Sequence, residues 1–305
     1  MGLFSRSGGA AVTVTPEVVA PRQTVTATVT TDKPIGKVRS ARLDWGYTNF
    51  YNYHWAGRVD SAAAAGNDSI WTADQVGTNY GGDRDTDDWV SVIIEDVPIA
   101  TGEFTGTSAT FKIPSWAPAS SSAIARWECR LTVEREGRSA SHNRVTRGEF
   151  TVLIGTADVE AYTEPLEAVS GAAETVIDIT LSKPVWRAGE TITGQVSLTP
   201  TMDLPDGDLA VSWQRERDSH PLTRAPGPGG QLDGRIVPLG KRIPLRAGVP
   251  VVLPFEIPLP DDAPPTAAAV HSSINWFVQA RLMYAGFNAH QLERVRRPIV
   301  VVNAP

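Results

Sequence analysis

Trp45, Tyr47, Tyr51, Tyr53 and Trp55 share one parity, and Leu43 shares it with them. In an extended strand that spacing puts every one of these side chains on a single face. An exposed aromatic face of this kind could stack on sugar rings or grip a peptide. These five are therefore the candidate partner-binding residues. The competing reading is the inner face of a sandwich followed by a packed loop, in which case the same residues are core. A second constellation follows Gly81-Gly82, where Asp83, Asp85, Asp87 and Asp88 alternate carboxylates with other side chains. Such a loop could offer oxygens to Ca²⁺. No Gly at the sixth position and no Glu at the twelfth complete an EF-hand, so a solvated acidic loop is the simpler reading.

Other reactive residue types lack the company that chemistry requires. There is no Gly-x-Ser-x-Gly elbow and no His-Glu-x-x-His. The stretch from Gly234 to Gly240-Lys241 has one residue too many between its glycines for a phosphate loop, and Arg242 where Ser or Thr is needed. Cys129 alternates with Trp127 and Leu131, which makes it a small buried hydrophobe and not a nucleophile. The histidines at 54, 142, 220, 271 and 290 show no metal-ligand spacing. Arg294-Val295-Arg296-Arg297 could meet phosphate or an acidic partner, but reads better as charge protecting an exposed strand edge. No catalytic residue, cofactor or metal is expected.

The elements that must position these residues are strands. Gly and Pro are abundant, at 26 and 23 of 305 residues, while 41% hydrophobic and 20% charged residues are ordinary globular values. Period-two alternation recurs at 25–30, 177–181 and 192–198, and further β-rich runs occupy 38–45, 127–133, 150–154, 251–257, 278–284 and 299–302. No amphipathic helix of 12 or more residues stands out. Many short strands without helical crossovers imply antiparallel sandwiches. Residues 172–305 carry 13 basic and 13 acidic side chains, so the first half holds the whole net charge of −6. Neither half has the basic field that nucleic acid demands. The single cysteine excludes an internal disulfide. The N-terminal residues lack a signal-peptide pattern, and no run of about 18 apolar residues exists. A soluble, cytoplasmic protein is expected.

Landmarks recur in order along the two halves. Ser121-Ser122 precedes Arg130-Leu131 at the same spacing as Ser272-Ser273 precedes Arg281-Leu282, and a tryptophan (Trp127, Trp276) lies inside each. Phe111-Lys112-Ile113-Pro114 lies upstream of the first and Phe255-Glu256-Ile257-Pro258 upstream of the second. Pro21-Arg22-Gln23-Thr24-Val25-Thr26 and Ala188-Gly189-Glu190-Thr191-Ile192-Thr193 begin the halves alike. An ordered set of this kind implies one domain used twice. The division expected is residues 1–155, a small and acidic linker at 156–174, and residues 175–305. An Ala-, Gly- and Asp-rich insertion at 56–88 reads as a long surface loop.

The Gly189-Glu190-Thr191 turn between strands and the Ser272-Ser273-Ile274-Asn275-Trp276 strand running into Arg281-Leu282 resemble arrestin-type domains. Most similar is the bacterial arrestin-like group of sporulation-control proteins. The resemblance spans nearly the whole chain and is clearest over 175–302. Pro21-Arg22-Gln23 departs from it where Gly-Glu is usual, as does the insertion. It implies two tandem antiparallel immunoglobulin-like β-sandwiches, a non-enzymatic regulatory adaptor or scaffold, and protein partners. Peripheral membrane association through a partner is compatible with it. In arrestin relatives a buried ionic cluster often joins the domains, and no residue here is assignable to one. The aromatic face motivates another reading, a carbohydrate- or cell-envelope-binding module. A hydrolase on a β scaffold is the third and lacks a nucleophile.

Overall fold

The computed structural model describes residues 9–57, 80–99, 102–137, 144–159, 166–227, 229–286 and 290–304. Much of the insertion expected at 56–88 lies outside these residues. The first half forms β1 (Ala10–Thr15), β2 (Val18–Val19), β3 (Thr24–Gly36), β4 (Val38–Gly57), β5 (Tyr80–Val97), β6 (Glu103–Lys112), β7 (Ala125–Arg135) and β8 (Arg144–Val152). They assemble as a three-stranded sheet in the order β1-β3-β6 and a five-stranded sheet in the order β2-β8-β7-β4-β5. The second half forms β9 (Glu167–Ser170), β10 (Thr175–Leu181), β11 (Val185–Arg187), β12 (Thr191–Pro200), β13 (Leu204–Ser219), β14 (Gly230–Asp233), β15 (Val237–Leu245), β16 (Val251–Pro258), β17 (Ala267–Ala268), β18 (Ser272–Tyr284) and β19 (Glu293–Val302). One of its sheets has the order β10-β12-β16. The other runs β11-β19-β18-β13-β14, with β15 beside β13, β17 beside β18 and β9 beside β19.

The two halves share a strand plan. With β9 set aside, the first, third and a later strand of each half make the small sheet, and a short strand pairs in parallel with the last one, β2 with β8 and β11 with β19. All other pairings are antiparallel, and the fold is all-β. Alternation drives the packing: Val25, Ala27 and Val29 of β3 face inward, as do Ile192, Val196 and Leu198 of β12. In the first half Trp45 stacks on Phe111 with ring centres 5.2 Å apart, and Tyr47 meets Trp127 at 4.9 Å. Each half also satisfies a buried indole in the same way. Trp127 Nε1 donates to the Pro118 carbonyl and Trp276 Nε1 to the Pro264 carbonyl, both at 2.9 Å.

The sequence landmarks map onto this plan with adjustments. Val25 pairs with Phe111, whereas Ile192 pairs with Ile257, so Ile257 and not Phe255 occupies the position of Phe111. A two-residue offset keeps the same side chains inward, which is why the motif match survives it. The expected linker at 156–174 contains β9, whose Glu167 pairs with Arg296 of β19. The Arg294 to Arg297 run is not a free edge: β9 and β11 cover that side of β19, and Arg296 is bonded to Glu167 and Glu216. Residues 83–88 are strand, not loop, because β5 extends along β4 through Asp83↔His54 and Asp88↔Asn49. Stretched this way, Asp83, Asp85 and Asp87 are spaced out along one face and Asp88 takes the other, and no His/Cys/Asp/Glu group among the described residues has the geometry to hold a metal.

The turn before the third strand of each plan shows one device built from different residues. Arg22 has φ 68° and Gly189 has φ 77°. The Gln23 side chain accepts the Ala20 N–H at 3.0 Å, and the Glu190 side chain accepts the Arg187 N–H at 2.9 Å. The departure from Gly-Glu therefore keeps the turn and leaves Arg22 in a conformation that costs about 1 kcal/mol without glycine. Arg22→Gly is expected to raise unfolding free energy by about that amount. Gly189→Ala is expected to lower it by more, since a Cβ there would meet Asp261 Oδ1 at 2.7 Å. Urea midpoints at unchanged slope measure both.

Candidate functional site

The aromatic face splits into two parts. Trp45 and Tyr47 are buried within the first sandwich, at 0% and 1% exposure, with Leu43 beside them. Trp45 faces Phe111 of β6, whereas Tyr47 packs on Trp127 and its hydroxyl reaches the Val270 backbone of the second half, so both rings are interior. This corrects the binding-stripe reading for these two residues in favour of the inner-face reading. Tyr51 and Tyr53 continue the parity, but β4 outruns its own sandwich there and the opposite wall becomes the second half. Tyr51 is buried against the ring of His271, with centres 4.9 Å apart, and its hydroxyl donates to Asp88. The Arg224 guanidinium lies 4.6 Å from the Tyr53 ring centre, and Tyr53 bridges to Pro226. Trp55 pairs with Gly82 through its backbone, and its side chain lies outside the described residues.

The seam between the sandwiches centres on Asn49. Its side chain is wholly buried. Nδ2 donates to the Ile124 carbonyl at 2.9 Å and to Ser272 Oγ at 2.8 Å, while Oδ1 accepts the His271 N–H at 2.7 Å. Ser272 Oγ in turn donates to the Phe50 carbonyl at 2.7 Å. The backbone continues the contact. Asn52 N–H donates to Ser219 Oγ at 2.9 Å, and His54 N–H to the Ala225 carbonyl at 3.0 Å. Gly227 passes so close to Asn52 that a Cβ would lie 1.6 Å from its Oδ1, which requires glycine there. A second attachment is made by Asn303. Its Oδ1 accepts the Ile154 N–H at 2.8 Å, and its Nδ2 donates to the Ser120 carbonyl at 3.1 Å.

These bonds are neutral. The buried carboxylates among the described residues, Glu128 and Glu293, are each held inside one half. Glu128 faces Arg126, Arg130 and Arg147. Burial would raise its pKa, and those guanidiniums outweigh burial and hold it low. Glu293 accepts from Thr175 N–H and Tyr284 OH. Across the seam His271 Nε2 lies 3.9 Å from Asp88, a pair that becomes ionic only when the imidazole is protonated. Cys129 is fully buried, and burial, with Glu95 and Asp44 behind it, pushes its thiol up to about 12. It is inert. Gly240 lies within β15, so no phosphate loop forms around it.

A cleft of 730 Å³ opens between the sandwiches. Trp116, Pro118 and Asp158 line it from the first half, and Glu216, Phe277 and Arg296 from the second. Trp116 is 60% exposed. Sequence reasoning missed Asn49, Ser272 and Trp116. Ser272 was visible as a repeat landmark, yet its counterpart Ser121 does a different job, accepting the Ala123 N–H within its own loop.

The fold and its seam define a tandem antiparallel β-sandwich protein. Among the described residues no helix is long and apolar enough to cross a membrane. No family model matches the chain, and no curated protein matches it. Among solved structures it is similar to the sporulation control protein Spo0M of Bacillus subtilis, at 16% identity and a TM-score of 0.36. That alignment covers 43% of this chain and 50% of the other, so the chain matches about half the length of that protein.

Two outcomes test the seam. Asn49→Ala strands the His271 N–H in a buried place, at a cost of about 1–3 kcal/mol in unfolding free energy. Calorimetry is expected to show the single transition broadening towards two as the halves uncouple. Burial, aided by His220 and Arg224 and opposed by Asp88, holds the His271 pKa below its usual value. The unfolded chain therefore takes the proton first. Stability conferred by this site is complete above about pH 6.5 and declines as pH falls from there towards the lower folded value. His271→Gln is expected to flatten that part of the stability curve, as read by urea unfolding at stepped pH.

Proposed function

We propose that the chain is a non-enzymatic, cytoplasmic adaptor of arrestin-like type that binds protein partners in a regulatory role. The observation that carries this reading is the cleft between the sandwiches. Both halves wall it, and Trp116 stands open at it, although an indole that exposed is costly to leave in water. Exposed tryptophans that anchor in a partner's pocket are common energetic centres of protein interfaces. The landmark residue Ser272 also supports it, since it helps build the seam that holds the two sandwiches in one arrangement. The carbohydrate-binding reading loses its motivation where Trp45 and Tyr47 are interior.

Photo-crosslinking in the native host tests the adaptor reading. A crosslinking residue placed at Trp116, and separately at the exposed Leu222, is expected to recover the same protein repeatedly from at least one position. Absence of any recurrent adduct at both positions rejects the reading.

A further inference from the structure

The charges of the cleft indicate what would fill it. Asp158, Glu167, Glu216 and Asp218 line it against one guanidinium, that of Arg296. Arg296 is already engaged: Nε bonds Glu167, Nη1 bonds Glu216, and its flat face lies 4.1 Å from the Phe277 ring centre. Those three charges form a closed unit within the wall. Asp158 accepts the Gly155 N–H at 2.9 Å with one oxygen, no cation of the wall compensates it or Asp218, and the site is net negative. Asp218 is exposed, and the open face of Trp116 adds an electron-rich ring that attracts cations. The remaining wall includes the apolar pair Phe277 and Pro298. β9 covers the β19 edge as far as Arg296 and β11 covers it from Val300, which leaves the backbone at Pro298 and Ile299 between two short strands, with the Pro298 ring on the Phe277 side that faces the cleft.

We propose that this cleft docks a basic, extended segment of a partner protein. Its Lys or Arg side chains meet Asp218, Asp158 and the Trp116 ring, while its apolar side chains lie over Phe277 and Pro298. Electrostatic complementarity of this kind selects partners and speeds their arrival. The proposal rests on the adaptor reading and names the chemistry of its ligand.

A fluorescein-labelled octapeptide of alternating lysine and alanine, titrated with the full chain and followed by anisotropy, tests it. Binding is expected, and none is expected for the alternating glutamate–alanine peptide. Trp116→Ala and Asp218→Lys change exposed side chains, so their unfolding midpoints should match the parent. Each is expected to weaken the lysine peptide by about tenfold. Glu256→Lys makes the same charge change at an exposed position of β16 outside the cleft and is expected to leave affinity within about twofold. No binding of the lysine peptide, equal losses from Glu256→Lys and Asp218→Lys, or preference for the glutamate peptide would each overturn the proposal. If crosslinking from Leu222 still recovers the same partner in full yield from Asp218→Lys protein, the adaptor stands and the cleft is rejected as its docking site.

Discussion

The amide of Asn49 carries a donor and an acceptor into a place without water, and both must be met. The second sandwich meets them, through Ser272 Oγ and the His271 N–H. This constraint fixes the relation between the halves more narrowly than apolar contact would, because hydrogen bonds are directional and burial is not. It depends on β4 being longer than its own sandwich. The first part of that strand is clad by β6, the next by the tip formed from β13, β18 and the loop through Pro226. One continuous backbone thus serves as core in one domain and as a docking surface for the other.

The fold class was legible because period-two patterning is a direct image of a half-buried strand. The landmarks at Arg22 and Gly189 fell on turns of the same construction. Register was not legible, as the positions of Phe255 and Ile257 show: an alternating strand slid by two residues looks the same to any reading of parity. The aromatic run was ambiguous for a related reason. Parity says that Trp45, Tyr47, Tyr51 and Tyr53 share a face, and cannot say what stands opposite. The wall changes identity after Trp45, since the Tyr47 hydroxyl already reaches Val270 of the second half, and nothing local to the sequence marks the change. The Asp-rich stretch misled in another way. Aspartate disfavours strands by itself, but β4 supplies a ready edge, and Asp88 and Asp83 find Tyr51 and His54 across it.

The seam is built from neutral groups. Its buried members are an amide, a hydroxyl and main-chain groups. The buried carboxylates have been placed elsewhere, with Glu128 and Glu293 each consolidating one half. Breaking a neutral hydrogen bond exposes no unpaired charge, so the seam carries less risk than a buried ion pair would, where loss of one partner leaves the other uncompensated.

A neutral seam has a further consequence. Dissolved ions screen attraction between exposed charges within about 10 Å at moderate ionic strength, and they barely touch a buried amide. The acidic cleft and the Asn49 seam therefore answer to different variables. Raising salt dims the field of Asp158 and Asp218 while leaving the two sandwiches clasped. Acidification acts on the clasp itself, through His271. The molecule can let its long-range attraction fade without losing its shape, and can loosen its shape while much of that attraction persists.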